Sequence, residues 1–477
     1  MPVPAATPLR RIACRWPAAL CLCAAFFVGC TVGPDYHRPK VDVPSEFRGA
    51  SAKPPAAPEA ASFADEKWWE VFQDKEMQGL IRTALENNYD VRIAATRVLQ
   101  AQAQLGITRA DQFPSLNAGG NLVTVRDPTI GPIPSYSFTS GQVSASALWN
   151  LDFWGKYRRA TEAARANLVA SEWARRQVVS TMVASVATSY FQLRELDLAL
   201  EIARDTLATR KESLVLVTQL TEHGIDTMLD QRQAEELVYT AAAQIPDLER
   251  QIAQQENAIS LLLGNNPGSI PRGLRLTEQP HTPEVPAGLP SSLLERRPDI
   301  RQAEETLIAA NAQIGVARAA YFPQITLTGT SGFQSPALTR LFSGPEGLWT
   351  FSASLTQPIF EAGRITNNLR LTQAQQQQAL LTYQQTIKGA FRDVSNALVA
   401  YRKYRESRIQ QELLTASAQD AANLSEQRFK AGVTDYLEVL TSETNYFTDE
   451  LALAQARSNE LQTFVQLYQV LGGGWQQ

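Results

Sequence analysis

The chain has 477 residues, 44% of them apolar and 19% charged, with a formal net charge of −4 at pH 7. That balance carries no basic bias and argues against nucleic acid as a partner. Length alone allows two or three ordinary domains, but an internal duplication makes a count by length misleading.

Residues 1–29 read as a removable lipoprotein signal. Arg10, Arg11 and Arg15 form a positive leader, and Ala18 to Gly29 an apolar run too short to span a bilayer. Its removal takes three positive charges and no acidic residue, so the remaining chain carries −4 − 3 = −7. Cys14, Cys21 and Cys23 leave with it, Cys30 becomes the first residue, and no disulfide can form within the chain. Phe27-Val28-Gly29-Cys30 resembles a lipobox, which implies a covalent lipid such as palmitate on Cys30. Thr31 behind it resembles the pattern sorted to the outer membrane of a Gram-negative cell.

Residues 30–72, with Pro34, Pro39, Pro44, Pro54, Pro55 and Pro58, read as an extended arm from that anchor. A first structural repeat follows over 73–264. Its opening helix is expected from about Glu76 to Asp111. Gln142 to Phe153 then alternates strictly, with Val143, Ala145, Ala147, Trp149, Leu151 and Phe153 against Gln142, Ser144, Ser146, Asn150 and Asp152. Period two predicts a strand with one oily and one wet face, and Leu116 to Arg126 is its weaker partner. Long helices are expected from Lys156 to His223 and from Ile225 to Leu263, turning at Gly224, with Pro246 kinking the second. Val179, Val186, Leu193, Leu200, Leu207 and Leu214 fall seven apart along the first.

A Pro-rich linker spans 265–292, and the pattern restarts over 293–472, before a short tail, 473–477. Leu294-Glu295 through Asp299-Ile300-Arg301 reads against Leu85-Glu86 through Asp90-Val91-Arg92. Gly315, Arg318 and Phe322-Pro323 read against Gly106, Arg109 and Phe113-Pro114, at a shift of 209. Gln324 to Phe333 and the alternating Trp349, Phe351, Ala353 and Leu355 repeat the strand pair. From Gly363 to Leu471 the heptad seam returns, as Leu380, Ile387, Val394 and Tyr401, then Val433, Leu440, Phe447, Ala454, Leu461 and Tyr468 beyond a break at Gly432. Such a seam means helices packed along their whole length, and the arm 363–431 would reach roughly 100 Å.

Four strands per chain admit two readings: soluble hairpins packed on a helix, or tilted crossings of a bilayer. In lipid no open edge survives and four strands cannot close, so several chains must share one barrel. A dimer suffices on count; a trimer of twelve strands gives a wider lumen.

Catalytic signals are missing. His37, His223 and His281 have no partner at metal-ligand spacing, and the adjacent Glu304-Glu305 read as a solvated face. Gly472-Gly473-Gly474 ends a helix, and Gln373 through Gln378 lies on a wet helix face. No enzyme activity, no metal and no cofactor beyond the lipid on Cys30 are expected.

Cys30-Thr31-Val32-Gly33-Pro34-Asp35-Tyr36-His37-Arg38-Pro39, Trp68-Trp69, Ala84-Leu85-Glu86-Asn87-Asn88 with Asp90, Leu294 to Asp299, and Leu471-Gly472-Gly473-Gly474-Trp475 resemble the outer-membrane factor family. These are TolC-like export ducts, and the match is to their lipoprotein, NodT/OprM-like branch. The resemblance implies an α+β membrane protein: a homotrimer with a shared twelve-stranded outer-membrane β-barrel, four strands from each chain, continued by a long periplasmic α-helical coiled-coil barrel. It also implies a periplasmic adaptor and an inner-membrane pump of the resistance-nodulation-division type as partners, and drugs or other small molecules as cargo. Carried over position by position, Arg428, Phe429, Asp435 and Leu437 resemble ring-forming and tethering residues of a periplasmic gate. Thr441 stands where relatives have an acidic residue. Leu437 is expected to form the constriction, with Arg428 and Asp435 holding the tips; the alternative is an ordinary seam leucine and a solvated arginine. The turns at Gly224 and Gly432 are the expected adaptor contacts. A lipid-anchored adaptor, or a structural coiled coil, remain the other classes; the duplication weighs against the first and the strands against the second.

Overall fold

The computed structural model describes residues 31–48, 63–128, 131–132, 135–280 and 290–476. The helices are α1 (Trp68–Val71), α2 (Lys75–Asn87), α3 (Tyr89–Ala110), α4 (Lys156–Glu222), α5 (Met228–Leu262), α6 (Pro290–Arg296), α7 (Pro298–Ala319), α8 (Arg364–Lys430) and α9 (Tyr436–Val470). Strands β1 (Ser115–Asp127) and β2 (Tyr136–Leu151) separate α3 from α4, and β3 (Gln324–Ser335) and β4 (Gly347–Thr356) separate α7 from α8. The order therefore recurs, and so do the lengths: 22 residues in α3 and α7, 67 in α4 and α8, 35 in α5 and α9.

The opening helix is two helices. Asn88 closes α2 by donating its N–H to Ala84 O at 2.9 Å. Its side-chain Oδ1 accepts from the N–H groups of Asp90 (2.7 Å) and Val91, capping α3. A single Asn that ends one helix and starts the next leaves no trace in the apolar period. Likewise β2 stops at Leu151, short of Phe153, because Asp152 accepts from Tyr157 and Arg158 N–H at 3.1 and 2.9 Å and so anchors the start of α4. α5 runs through Pro246 to Leu262, so the ring removes one backbone bond without ending the helix.

The chain divides into two compact units, and α3, α4, α7 and α8 contribute residues to both. One contains Ala101–Asn167, Thr306–Ala379 and the segment ending at Arg38. Its centre is an antiparallel sheet in the order β1-β2-β3-β4. The register puts Leu116 opposite Ala147, Ala147 opposite Gly329 and Gly329 opposite Phe351. One face thereby gathers Leu116, Ala118, Leu122, Val143, Ala145, Ala147, Trp149, Ile325, Leu327, Trp349, Phe351 and Leu355. The other gathers Asn117, Asn121, Gln142, Ser144, Ser146, Asn150, Thr326, Thr328, Thr330, Thr350, Ser352 and Ser354, with Val123, Val125, Tyr136, Phe138, Leu148 and Leu348 as apolar or aromatic exceptions. Asn150 Oδ1 accepts from Thr326 Oγ1 at 2.9 Å on this polar face.

The arm is seated in the same unit. Val32 N–H donates to Trp154 O at 3.1 Å, Asn311 Nδ2 donates to Pro34 O at 2.9 Å, and Arg159 pairs with Asp35 at 2.6 Å. Gly33, at φ +125°, comes so close that a Cβ there would lie 2.6 Å from Gly315 Cα.

The second unit contains Pro39–Gln100, Leu168–Glu305 and Leu380–Gln477. Buried Tyr383, Ile387, Ala390, Val394, Ala397 and Tyr401 step along α8 by four and three residues, the spacing of a packed heptad seam. Val433 departs from it: it is 68% exposed in the turn, and Tyr436 and Val439 are buried instead. Glu304 is buried and accepts from Arg301 Nη1 at 3.0 Å, so it is no solvated charge. The duplication reaches side chains. Adding 208 to Arg204 and Glu249, paired at 2.7 Å, gives Glu412 and Arg457, paired at 3.2 Å with the charges exchanged.

Candidate gate at the helix-hairpin tips

Both hairpins turn by one device. Gly224 N–H donates to Thr221 O and Ile225 N–H to Leu220 O; Gly432 N–H donates to Phe429 O and Val433 N–H to Arg428 O. These paired bonds close a helix when the residue past its end is left-handed, and Gly224 and Gly432 have φ of +71° and +67°. A Cβ at either position would meet nothing within 4 Å. Glycine is therefore required by backbone conformation alone. The returning α5 is capped by Thr227, whose Oγ1 accepts from Asp230 N–H while Asp230 Oδ2 accepts from Thr227 N–H. Asp435 holds the equivalent position before α9, but its side chain caps nothing and is exposed.

Behind the turns, Val217 of α4, Ala234 of α5, Phe429 of α8, and Tyr436 and Val439 of α9 form one buried cluster. Phe429 and Tyr436 rings meet edge to face at 5.4 Å. Phe429 is thus hairpin core and not a ring residue: Arg428 and Phe429 are neighbours turned about 100° apart on a helix, and burial takes the aromatic one. Leu437 is 54% exposed, one residue beyond buried Tyr436. It is available to face a lumen and is not a seam residue within the protomer. Arg428 Nη1 pairs with Glu438 Oε1 at 2.7 Å, and Thr434 Oγ1 donates to Glu438 Oε2. Within one protomer, Arg428 thus ties α8 to α9 through Glu438 and not through Asp435. Glu438 drew no attention in the sequence because it fits the helix start as an ordinary first-turn acid. Thr441 Oγ1 donates back to Leu437 O at 2.8 Å.

At the first tip Ile225, Met228 and Leu229 are exposed. Cys30 lies outside the described residues. Thr31, next to it, lies against Gly155, where a Cβ would meet its Cγ2 at 2.9 Å. The chain thus emerges beside the junction of β2 and α4. No helix among the described residues is long and apolar enough to cross a membrane.

A four-stranded sheet with one oily face, set between paired long helices, is the architecture of solved outer-membrane channels. The open-state MtrE channel of Neisseria gonorrhoeae superposes with a TM-score of 0.84 at 32% identity, over 94% of this chain and 99% of that one. The outer-membrane channel OprN superposes at 0.86 and 30%, over 94% and 100%. The family model for outer membrane efflux proteins matches residues 80–265 and again 289–473. The chain belongs to this family and is an outer-membrane efflux channel protein of the Gram-negative cell envelope. Among named relatives, the probable efflux pump outer membrane protein TtgC of Pseudomonas putida is 36% identical over 461 residues, 96% of this chain and 95% of its own. The cation efflux system protein CusC of Escherichia coli K12 is 34% identical over 454 residues, 94% and 98%.

Proposed function

We propose that three copies close one barrel and form a passive, gated duct through which a periplasmic adaptor and an inner-membrane pump expel small organic molecules. One observation carries this: a sheet with an apolar face, a hydroxyl- and amide-bearing face, and two unpaired edges, β1 and β4. In lipid both edges must find partners. Neighbouring strands alternate in direction, so β4 of one copy can receive β1 of the next in the same antiparallel sense, and 3 × 4 strands close. The apolar face then meets lipid, and the Ser, Thr, Asn and Gln face lines water.

Aromatic residues flank the sheet at both strand ends, Phe342 and Trp349 at one and Phe113, Phe153 and Phe360 at the other, all exposed as interfacial girdles are. The arm fits a lipid on Cys30, since Thr31 lies beside Gly155, four residues past the end of β2, where the sheet would leave the membrane. Leu437 from three copies forms the constriction, and the turns at Gly224 and Gly432 receive the adaptor. The relatives' names include toluene, antibiotic and cation efflux; a lumen face of Ser, Thr, Asn and Gln, with Asp127 its single strand charge, suits the organic cargoes best.

Reconstitution in planar bilayers tests the duct. The wild type should insert as a heat-stable trimer and conduct weakly, and Leu437→Ala should conduct several-fold more and sensitise cells to large antibiotics. A monomer without conductance overturns the duct; unchanged conductance in Leu437→Ala overturns the gate.

A further inference from the structure

Two atoms of opposite charge lie unsatisfied in one interior, where α9 packs on the α4/α5 hairpin. Arg210 of α4 is 2% exposed. Its Nη1 donates to Leu237 O of α5 at 2.9 Å, and its guanidinium carbon lies 4.9 Å from the centre of the Phe447 ring of α9. Its Nε has no hydrogen-bond partner. One turn before Phe447, Glu443 carries a buried Oε2 that also has none. Buried ions are strongly destabilising unless compensated, and buried polar atoms in folded proteins are nearly always bonded. Here each atom lacks a bond that the other could supply. Burial in this seating of α9 works against an ionised Glu443, and the Arg210 charge works for it.

We propose that Arg210 and Glu443 form a proton-operated switch that reseats α9 against the first hairpin, and with α9 moves the gate. Leu437 stands six residues from Glu443 on α9, about 9 Å along its axis, so a shift of this helix is a shift of the constriction. Glu443 faces Arg210 and the Ser213 hydroxyl from α4 and Glu426 from α8, which is itself paired with Lys430; Tyr436 of α9 faces Arg210, and Asp230 of α5 faces Tyr436. Burial raises the Glu443 pKa above the usual carboxylate range, Arg210 opposes that, and Glu426 adds to it. The sign follows. A carboxyl whose pKa is raised here above its value in water makes this seating most stable at low pH, and the preference is lost as pH rises through the raised value.

The inference rests on Leu437 as the constriction and is tested with the full-length lipidated protein in planar bilayers between pH 4 and 8. Wild-type conductance should change across that range with a midpoint above the ordinary carboxylate pKa. Glu443→Gln should hold the acid-side conductance at every pH. Arg210→Met should move the midpoint up and Glu426→Gln should move it down, shifts that a purely structural role would not order in this way. A flat wild-type profile, or a Glu443→Gln profile that titrates like the wild type, overturns the switch. If the wild type does not conduct, the duct reading fails; if Leu437→Ala leaks while Glu443→Gln titrates normally, only the switch fails.

Discussion

Asp74 draws five donors to one buried carboxylate. Oδ1 accepts from Glu76 N–H at 2.9 Å and from Met77 N–H, and Oδ2 from Tyr190 Oη at 3.1 Å, Leu274 N–H at 3.0 Å and Gln279 Nε2 at 3.2 Å. It caps α2 and ties α4 to the segment leaving α5. Asp74→Ala should cost about 2–4 kcal/mol, the loss of a cap plus donors left buried, read as a lower temperature for loss of the heat-stable oligomer. A loss no greater than that of a surface Asp→Ala control would show that water satisfies those donors. None of this is legible in the sequence, where Asp74 is one acid before a helix. Arg210 is hidden in the same way, since a helix period says which face is apolar and not that a charge is folded into it. Leu437 is the contrary case: its position relative to Gly432 marks the tip, and the structure leaves it exposed.

The helices were readable because a seam of seven-residue steps and a left-handed glycine each have a local cause. Their interruption at Asn88 was not, because one side chain serving two helices leaves the period intact. The hairpins also differ in what holds them. In the first, Arg204 and Glu249 are both half exposed, and such pairs contribute under about 1 kcal/mol. In the second, Glu412–Arg457 joins a network in which Arg408 bonds Glu412 at 2.8 Å and also buried Glu460. Arg408→Met, which takes a cationic partner from both Glu412 and buried Glu460, should therefore destabilise by more than about 1 kcal/mol, whereas Arg204→Met should stay within about 1 kcal/mol. Equal midpoints in thermal unfolding would refute the contrast. Burial works against the Glu412 carboxylate, but Arg457 and Arg408 prevail and hold its pKa below the ordinary value. Its contribution is complete above the unfolded-state pKa and lost as pH falls through the depressed one. The gap between Arg408→Met and wild type should narrow on acidification.

For the whole molecule, the unpaired strand edges matter more than any single residue, because they make one chain incomplete in lipid. The proposed anchor belongs to this scale too, since a lipid on Cys30 would hold the chain at the membrane surface. Labelled palmitate should enter the wild type and be absent from Cys30→Ser. Incorporation that persists in the variant would place the lipid elsewhere.

The sequence by itself determined what short-range physics decides: the period-two strands, the heptad helices, their glycine turns and their repetition. Only the tertiary structure decided which neighbours share a face. It put Phe429 inside and Leu437 outside, paired Arg428 with Glu438, and set all four oily strand faces in register. The reason is that period and propensity act within one element, while burial, ion pairing and strand register depend on elements hundreds of residues apart in the chain.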